Sequence, residues 1–286
     1  MSAAGMRRPA PEGVTEERVF ESALCAIDGT EDSLAAVDEA ATLVGSGGHM
    51  TLLVATAYRA EGERRSPAIG PLRAKGMIDE AVAIATAGGL SCDVEVDPAS
   101  PPSRVVIERA RGHDLIAMGA PVGSWFAGLF LGGVAVTAER ALPAPLLFAH
   151  HDPSGGEDVG PLLVASDGLE ASDELVDLAG RLARGRRAPA ILLHAFGAHA
   201  DRHPASVDEQ ARRLHAATDG GSEMRLAPGV AHTAIVGTSG AVGASLVLMC
   251  SRRHRGPAMF GSVSRRVVHQ GERSVLLVPP ERLLVA

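Results

Sequence analysis

The sequence predicts an α/β protein built as two consecutive domains, each a parallel β-sheet covered by helices on both faces. The 286 residues are long for one compact domain and suit two of about 140 residues each. Hydrophobic residues make up 46% of the chain but aromatic residues only 3%, so the cores must be aliphatic, as is typical of buried parallel strands. One pattern of strands and helices also occurs twice along the chain.

Each copy of the repeat begins with a short apolar strand that ends in Asp-Gly. Residues 23–33 read ALCAIDGTEDS, and residues 162–172 read LLVASDGLEAS. Asp28 and Asp167 therefore occupy the same place in the two copies. An amphipathic helix is predicted to follow, from about Glu31 in the first copy and from about Glu170 in the second.

The rest of each copy continues the alternation of strands and helices. In the first copy, strands are predicted at 50–57, 92–96, 115–118 and 145–149, with helices at 70–86 and 103–110. In the second copy, strands are predicted at 190–196, 224–226, 245–249 and 274–278, with helices at 206–218 and 233–239. Such alternation implies βαβ units with right-handed crossovers and hence a parallel sheet.

The repeats divide the chain into four parts. We predict an N-terminal tail at 1–18, a first domain at 19–150, a linker at 151–160 and a second domain at 161–286. The linker reads HDPSGGEDVG, a composition typical of a connecting segment.

Charge, cysteine content and hydropathy restrict the kinds of partner and the cellular compartment. A net charge of −7 and a pI near 5.9 disfavour a general nucleic-acid binder, which is usually basic. Three cysteines without a CxxC motif favour a reducing compartment over a disulfide scaffold. The N-terminal residues lack the apolar core of a signal peptide, and the most apolar run, 125–138, is too short to span a bilayer. We therefore expect a cytoplasmic protein without nucleic-acid or membrane partners.

Two motifs resemble the universal stress protein family. The first is a strand followed by Asp-Gly-(Ser/Thr)-Glu-x-Ser, found at 28–33 and repeated in the second copy with Leu169 in place of the hydroxyl residue. The second is the fourth-strand sequence GHDLIAMG at 112–119, followed by a Gly-rich loop. Family members carry Gly-x-x-Gly, nine residues and Gly-(Ser/Thr) after that strand, and the second copy ends its loop in GSVS at 261–264.

The resemblance implies two tandem Rossmann-like, doubly wound domains. Each would hold five parallel strands in the order 3-2-1-4-5 with helices on both faces. The family commonly pairs two domains through their last strands. Here the strands at 146–149 and 275–278 would form that contact within one chain and make an intramolecular pseudo-dimer.

The resemblance and the chemistry of the loop together predict an adenine-nucleotide site in each copy. Glycines let successive backbone N–H groups approach a phosphate, and the next helix contributes its N-terminal dipole. The aspartate after strand 1 would accept a hydrogen bond from ribose or adenine, and by family resemblance the backbone after strand 2 touches the adenine. In the second copy the candidate residues are Asp167, Ala195, Met249, Gly261, Ser262, Val263 and Ser264. In the first copy they are Asp28, Ala55, Met118, Gly119, Gly123, Gly132 and Gly133.

Neither copy keeps the whole loop motif. In the first copy, Val122 replaces a family glycine and Gly133 replaces the Ser or Thr; in the second, Cys250 replaces the glycine that ends strand 4. Five arginines nevertheless lie near the second loop and suit phosphate oxygens: Arg252, Arg253, Arg255, Arg265 and Arg266. The first loop has no basic residue between Gly119 and Glu139. We therefore expect the second copy to hold the phosphate and the first to be mainly structural.

The expected ligand is ATP or a related adenine nucleotide, with Mg²⁺ only alongside the nucleotide. No grouping of residues gives a rationale for catalysis, and His199 and His203 lie in a loop-like segment that favours no metal site. We expect a non-catalytic, nucleotide-responsive stress protein. Two alternatives stay open: a nucleotide-free scaffold or interaction module with both sites degenerate, and a slow ATP hydrolase. The aromatic residues at 125–130 are a separate candidate interaction site. A homodimer and a redox role for Cys250 also stay open.

Overall fold

The computed structural model describes residues 18–55, 71–97, 102–120, 144–151, 160–197, 203–250 and 262–279. The first half contains five strands: β1 (Ser22–Ile27), β2 (His49–Ala55), β3 (Ser91–Asp97), β4 (Leu115–Gly119) and β5 (Leu146–Ala149). Its helices are α1 (Glu31–Val44), α2 (Pro71–Ala87) and α3 (Pro102–Arg109), and a single 3₁₀ turn at Ala110–Gly112 follows α3.

The second half repeats this order of elements. Its strands are β6 (Leu162–Ser166), β7 (Ala190–Phe196), β8 (Ser222–Pro228), β9 (Leu246–Cys250) and β10 (Val275–Val278). Its helices are α4 (Glu170–Arg186), α5 (Ala205–Ala217), α6 (Ala231–Ala241) and α7 (Ser262–Gln270). No helix in the described part of the chain is long and apolar enough to cross a membrane.

The predicted element boundaries agree with the structure to within one or two residues. The starts of α1 and α4 at Glu31 and Glu170 are confirmed. The third strands are longer than predicted: β3 and β8 each have seven residues. Both carry polar residues at their ends, which a search for apolar runs does not include. Residues 56 and 57, predicted to end the second strand, lie outside the described residues.

All ten strands form one sheet, in the order β3-β2-β1-β4-β5-β10-β9-β6-β7-β8. Each half therefore has the predicted order 3-2-1-4-5, and its neighbouring strands are parallel. The two halves meet at β5 and β10, the one antiparallel pair among the described strands, where Leu147 lies opposite Leu276. The predicted pairing of the last strands within one chain is confirmed.

Alternate strand residues enter two apolar cores, one on each face of the sheet. On the first face, α1, α2, α4 and α5 contribute to one core that spans both halves, with Cys25, Val37, Leu175 and Leu214 among its buried members. On the second face, residues of α3, α6 and α7 pack on the neighbouring strand positions, including Leu24, Val106, Ile235 and Val267. Equivalent helices of the two halves therefore lie on the same side of the sheet.

An ion pair joins the two halves on the first face. Arg186, at the end of α4, contacts Glu39 of α1, and their side chains are only 11% and 18% exposed. A terminal guanidinium nitrogen of Arg186 makes this contact, while its buried Nε has no hydrogen-bond partner among the described residues. A guanidinium this poorly solvated depends on its carboxylate partner, because an uncompensated charge is costly to bury.

The fourth strand of each half meets the start of a helix at close range. A Cβ added to Gly119 would lie 2.7 Å from the backbone N of Ser33 and 2.9 Å from the carbonyl carbon of Asp32, so β4 requires glycine where it faces α1. The equivalent residue of β9 is Cys250, whose Sγ donates to the Ala171 carbonyl oxygen of α4 at 3.1 Å. The second half accommodates a side chain where the first half cannot.

We predict that Gly119→Ala lowers the free energy of unfolding by about 1–3 kcal/mol, the usual cost of overpacking a tight site. The added methyl group would displace the first turn of α1. Cys250→Ala is the matched variant and should cost about 1 kcal/mol, because it shortens a half-buried side chain and removes one weak S–H···O hydrogen bond. Urea unfolding measures both, and equal effects of the two substitutions would contradict this account of strand–helix packing.

We also predict that Arg186→Met costs less when Glu39 is replaced as well. Glu39→Met alone should destabilise the protein by roughly 2 kcal/mol, below the 3–5 kcal/mol of a fully buried pair because both side chains keep some solvent. The double variant should recover part of this loss. The exposed Lys75–Asp79 pair, at 2.6 Å within α2, provides the control, where a double-mutant cycle should give under about 0.5 kcal/mol. Strictly additive losses at Glu39 and Arg186 would refute the coupling.

Candidate functional site

Both candidate sites lie where the strand order reverses. In each half the first strand has the second strand on one side and the fourth on the other. In an open parallel sheet, the connections that leave two such strands usually diverge, and the crevice between them is the usual ligand position. Asp28 directly follows β1, and Asp167 directly follows β6. The structure therefore places both predicted aspartates at this edge of the sheet.

In the first half, the Asp-Gly turn is built by local hydrogen bonds. The Oδ1 atom of Asp28 accepts from the backbone N–H of Thr30 at 3.1 Å and from its hydroxyl at 2.7 Å. The same hydroxyl accepts from the N–H of Ser33 at 3.2 Å and so caps α1. Gly29 has a φ of +79°, and a Cβ there would lie 2.4 Å from Sδ of Met77. This turn rests against an apolar side chain of α2.

The second half holds its aspartate differently. Leu169 replaces Thr30 and offers no side-chain cap to α4. The carboxylate of Asp167 instead accepts from the Leu169 N–H at 3.0 Å and from the Ser172 hydroxyl at 3.0 Å. Ser172 thus replaces the lost hydroxyl as a donor to the carboxylate but not as a helix cap. The Asp167 carboxylate therefore accepts two hydrogen bonds although Leu169 departs from the family motif.

A buried set of polar side chains braces the second turn. Gln210 of α5 is fully buried and accepts from the Ser166 hydroxyl, which in turn accepts from the Gly168 N–H at 2.9 Å. The Gln210 amide donates to the Leu169 carbonyl at 3.3 Å and to Asp173 at 2.5 Å. The Ser206 hydroxyl donates to the Gly168 carbonyl at 2.7 Å. We call Ser166, Ser206 and Gln210 the polar brace. It ties α5 to the Asp167 turn.

The polar brace was missed by the sequence reasoning. Its two signals were a serine at the end of an apolar strand, Ser166, and a glutamine on the buried side of α5, Gln210. The first half carries Ile27 at the position of Ser166 and Met77 against its Asp-Gly turn. Both turns have local hydrogen bonds to their aspartate, but the side chains packed against the turn are polar in the second half and apolar in the first.

His194 adds a second buried polar group beside the brace. It lies next to Ser166 across the strand pair, is 6% exposed, and its Nδ1 is 3.0 Å from the Ser166 carbonyl oxygen. Because a carbonyl only accepts, Nδ1 carries the hydrogen and a neutral ring has its acceptor at Nε2. Val54 takes this position in the first half. His194 immediately precedes Ala195, a residue predicted to contact a ligand through its backbone.

The remaining predicted residues fall into three groups. The side chains of Met118 and Met249 are buried in the core of the second face, so these strand ends present backbone rather than side chain. Ala55 and Ala195 lie near the ends of β2 and β7, and Ser262, Val263 and Ser264 form the first turn of α7. The glycines Gly123, Gly132, Gly133 and Gly261 lie outside the described residues, as do Arg252, Arg253, Arg255, His199 and the aromatic residues at 125–130.

The helix starts at the two sides of the second crevice differ in charge. α4 begins with Glu170 and Asp173 in its first turn, and these carboxylates satisfy the positive end of its dipole. α7 has no acidic residue in its first turn, and Arg265 and Arg266 are exposed on it. An anion is therefore better stabilised at α7 than at α4.

The cysteines and histidines of the described residues show no arrangement suited to redox or metal chemistry. Burial raises the pKa of the Cys25 thiol far above its ordinary value and also raises that of Cys92, which disfavours reactive thiolates. Cys250 donates its hydrogen to a carbonyl, as described above. His203 contacts Asp208 at 2.8 Å. Within the described residues, no three His, Cys, Asp or Glu side chains are grouped as a metal site would require.

Comparisons with known proteins agree with this architecture. The model of the universal stress protein family matches residues 20–150 and again 159–279. A universal stress protein from Archaeoglobus fulgidus superposes with a TM-score of 0.68 at 18% identity, covering 92% of this chain and 97% of that one. A universal stress protein from Pseudomonas aeruginosa gives 0.65 at 20% identity, covering 93% and 96%.

One further solved structure comes from a different class of protein. The cytoplasmic domain of a prokaryotic cation chloride cotransporter superposes with a TM-score of 0.61 at 10% identity, covering 93% of this chain and 99% of that one. Structural likenesses at these identities show a shared fold, and a fold by itself does not specify function. No curated protein matched the sequence. The two family matches together span most of the chain, which belongs to the universal stress protein family as a tandem, two-domain member.

Proposed function

We propose that the protein is a non-catalytic stress-response regulator that binds ATP or a related adenine nucleotide in its second half. The observation that carries the proposal is the polar brace. A ligand-contacting carboxylate gains affinity when it is already held in its bound position, because less conformational freedom is lost on binding. Asp167 is held in this way by Leu169, Ser172 and the braced Gly168 turn.

The phosphates would bind at the start of α7. Free N–H groups and the dipole at a helix N-terminus favour an anion, and the first turn of α7 contains Ser262 and Ser264 without a carboxylate. Arg265 and Arg266 add positive charge to the same end of the helix. The family motif assigns Gly261 and Ser262 to phosphate binding, which supports this assignment. Mg²⁺ would enter only with the nucleotide.

The ribose and base would lie between Asp167 and the end of β7. The carboxylate of Asp167 would accept from a ribose hydroxyl or from the adenine, and the backbone at Ala195 would contact the base. His194 and Ser166 would form part of the wall beneath. In the first half the corresponding wall is apolar, with Ile27 and Val54, and Asp28 would have a structural role. Three thiols without a disulfide suit a reducing compartment, and we propose a cytoplasmic location.

Isothermal titration of the full chain with ATP and magnesium tests the proposal. We expect one site per chain with micromolar affinity, a binding free energy of about 8 kcal/mol. Asp167→Ala should weaken binding by about 10- to 100-fold, since a charge-assisted hydrogen bond contributes about 1.5–3 kcal/mol. Ser262→Ala should also weaken it. Asp28→Ala is the matched control and should leave the affinity unchanged.

Three results would overturn the proposal in different ways. Absence of binding up to about 1 mM, where the binding free energy falls to about 4 kcal/mol, would favour the nucleotide-free scaffold. Tight binding abolished by Asp28→Ala but not by Asp167→Ala would move the site to the first half. Phosphate release above a buffer control and sensitive to Asp167→Ala would instead favour the slow hydrolase.

A further inference from the structure

The sheet has two outer edges in the described part of the chain, β3 and β8, because β5 and β10 pair with each other. Exposed large apolar side chains concentrate at these edges. Val94 and Val96 of β3 are 42% and 51% exposed, and Met224 and Leu226 of β8 are 36% and 40% exposed. An edge strand with apolar side chains and outward backbone groups readily pairs with another strand. We propose that β8 pairs antiparallel with β8 of a second copy of this chain.

The backbone of β8 is arranged for such pairing. The Gly221 carbonyl accepts from Ala190 at 3.0 Å, and the Gly229 N–H donates to Phe196 at 2.8 Å, so both glycines face β7. Backbone groups alternate between the two sides of a strand. Ser222, Met224 and Leu226, at the alternate positions, therefore turn their N–H and C=O groups to the outer edge. Pro228, which has no N–H, ends the strand.

The charges of β8 select one register. A two-fold axis at Met224 places Met224 opposite itself as a hydrogen-bonded pair and Ser222 opposite Leu226 of the second copy. The same axis places Glu223 opposite Arg225 of the second copy, and does so twice. Opposite charges at facing positions stabilise a strand pair, and like charges destabilise it. A two-fold axis at Glu223 or at Arg225 would place that residue opposite the same residue of the second copy, and the two like charges would repel. One complementary register remains.

Glu223 and Arg225 already point to one side of the sheet. Their side chains contact each other at 2.6 Å along the strand and are about half exposed, at 52% and 45%. Each side chain could exchange this contact for the same contact with the second copy, Glu223 with Arg225, without a change of strand conformation. Both side chains lie on the face opposite to Met224 and Leu226, so apolar and charged contacts would form on separate faces of the joined sheet.

The other edge of the sheet disfavours self-pairing. Val94 takes the place of Met224 in the first half, and Asp93 and Glu95 flank it. The same two-fold arrangement would put Asp93 opposite Glu95 of a second copy, acid against acid. Charged edges of this kind are a common protection against strand pairing. The two homologous edges therefore differ in charge pattern at the positions that decide self-association.

The dimer should be transient. Pairing of one strand of seven residues buries less than the roughly 1,200–2,000 Å² of a standard stable interface. We expect dissociation constants in the micromolar range or above. Pairing of β8 with β3 of the next copy would be head-to-tail and would give growing polymers rather than a closed dimer, so the mass of the assembly separates the two modes.

Sedimentation equilibrium of the full chain between about 1 μM and about 1 mM tests the proposal in the range of a transient interface. We expect a monomer–dimer equilibrium whose dissociation constant rises at least about tenfold in Arg225→Glu, because two like-charge pairs then face each other. The swap Glu223→Arg with Arg225→Glu should restore it. Asp93→Glu, which keeps acid opposite acid on the other edge, should have no effect. A monomer at all concentrations, a dimer indifferent to Arg225→Glu, or a growing polymer would each overturn the proposal.

Thiol cross-linking locates the contact independently. A hydrogen-bonded antiparallel pair has Cα atoms about 5.5 Å apart, within the disulfide range. Met224→Cys should therefore form a covalent dimer on mild oxidation, faster than the unchanged chain with its three thiols. Val94→Cys is the matched control on the homologous edge and should not exceed the unchanged chain. Equal cross-linking at both edges would refute the selective use of β8.

Discussion

The antiparallel pairing of β5 with β10 is the contact on which the rest of the structure depends. It joins two five-stranded sheets into one sheet of ten strands. It also covers one edge of each half, the outer side of β5 and of β10. It also places the equivalent helices of both halves on the same face, where they share an apolar core. The Glu39–Arg186 ion pair bridges the halves on that face. The outer edges of the sheet are then β3 and β8 in the described part of the chain.

Within this symmetric frame the two halves have diverged at corresponding positions. The first half fits Gly119 against α1 and packs its Asp-Gly turn on Met77. The second half accepts Cys250, with Ala171 in place of Asp32 at the contact, and holds its turn with Gln210 and two serines. Apolar packing suits a scaffold, whereas a satisfied polar network fixes side chains in one arrangement. This difference supports a division of labour between a structural and a ligand-binding half.

The repeated strand–helix pattern was enough to predict parallel sheets, the helix starts and the position of both aspartates, because these follow from local periodicity. The strand order and the pairing of the last strands were predicted from the family resemblance. The contacts between distant segments were not predictable. Ser166 meets Gln210 over 44 residues and Arg186 meets Glu39 over 147, and no local pattern marks such partners. Ser172 was read as part of a motif, but its compensation for Leu169 needed the geometry of the turn. The nucleotide contacts expected within 121–143 and 251–261 lie outside the described residues and stay predictions.

Amide hydrogen exchange, followed residue by residue, tests most directly whether the two halves form one sheet. The carbonyls of Pro145 and Ala149 face β4, so the amides of Leu146 and Phe148 point toward β10, opposite Leu277 and Val275. The account predicts that these amides exchange only on global unfolding, orders of magnitude more slowly than the outward amides of Val94 and Val96 at the β3 edge. Exchange of Leu146 and Phe148 as fast as at that edge would show that the halves do not pair, and would contradict the account.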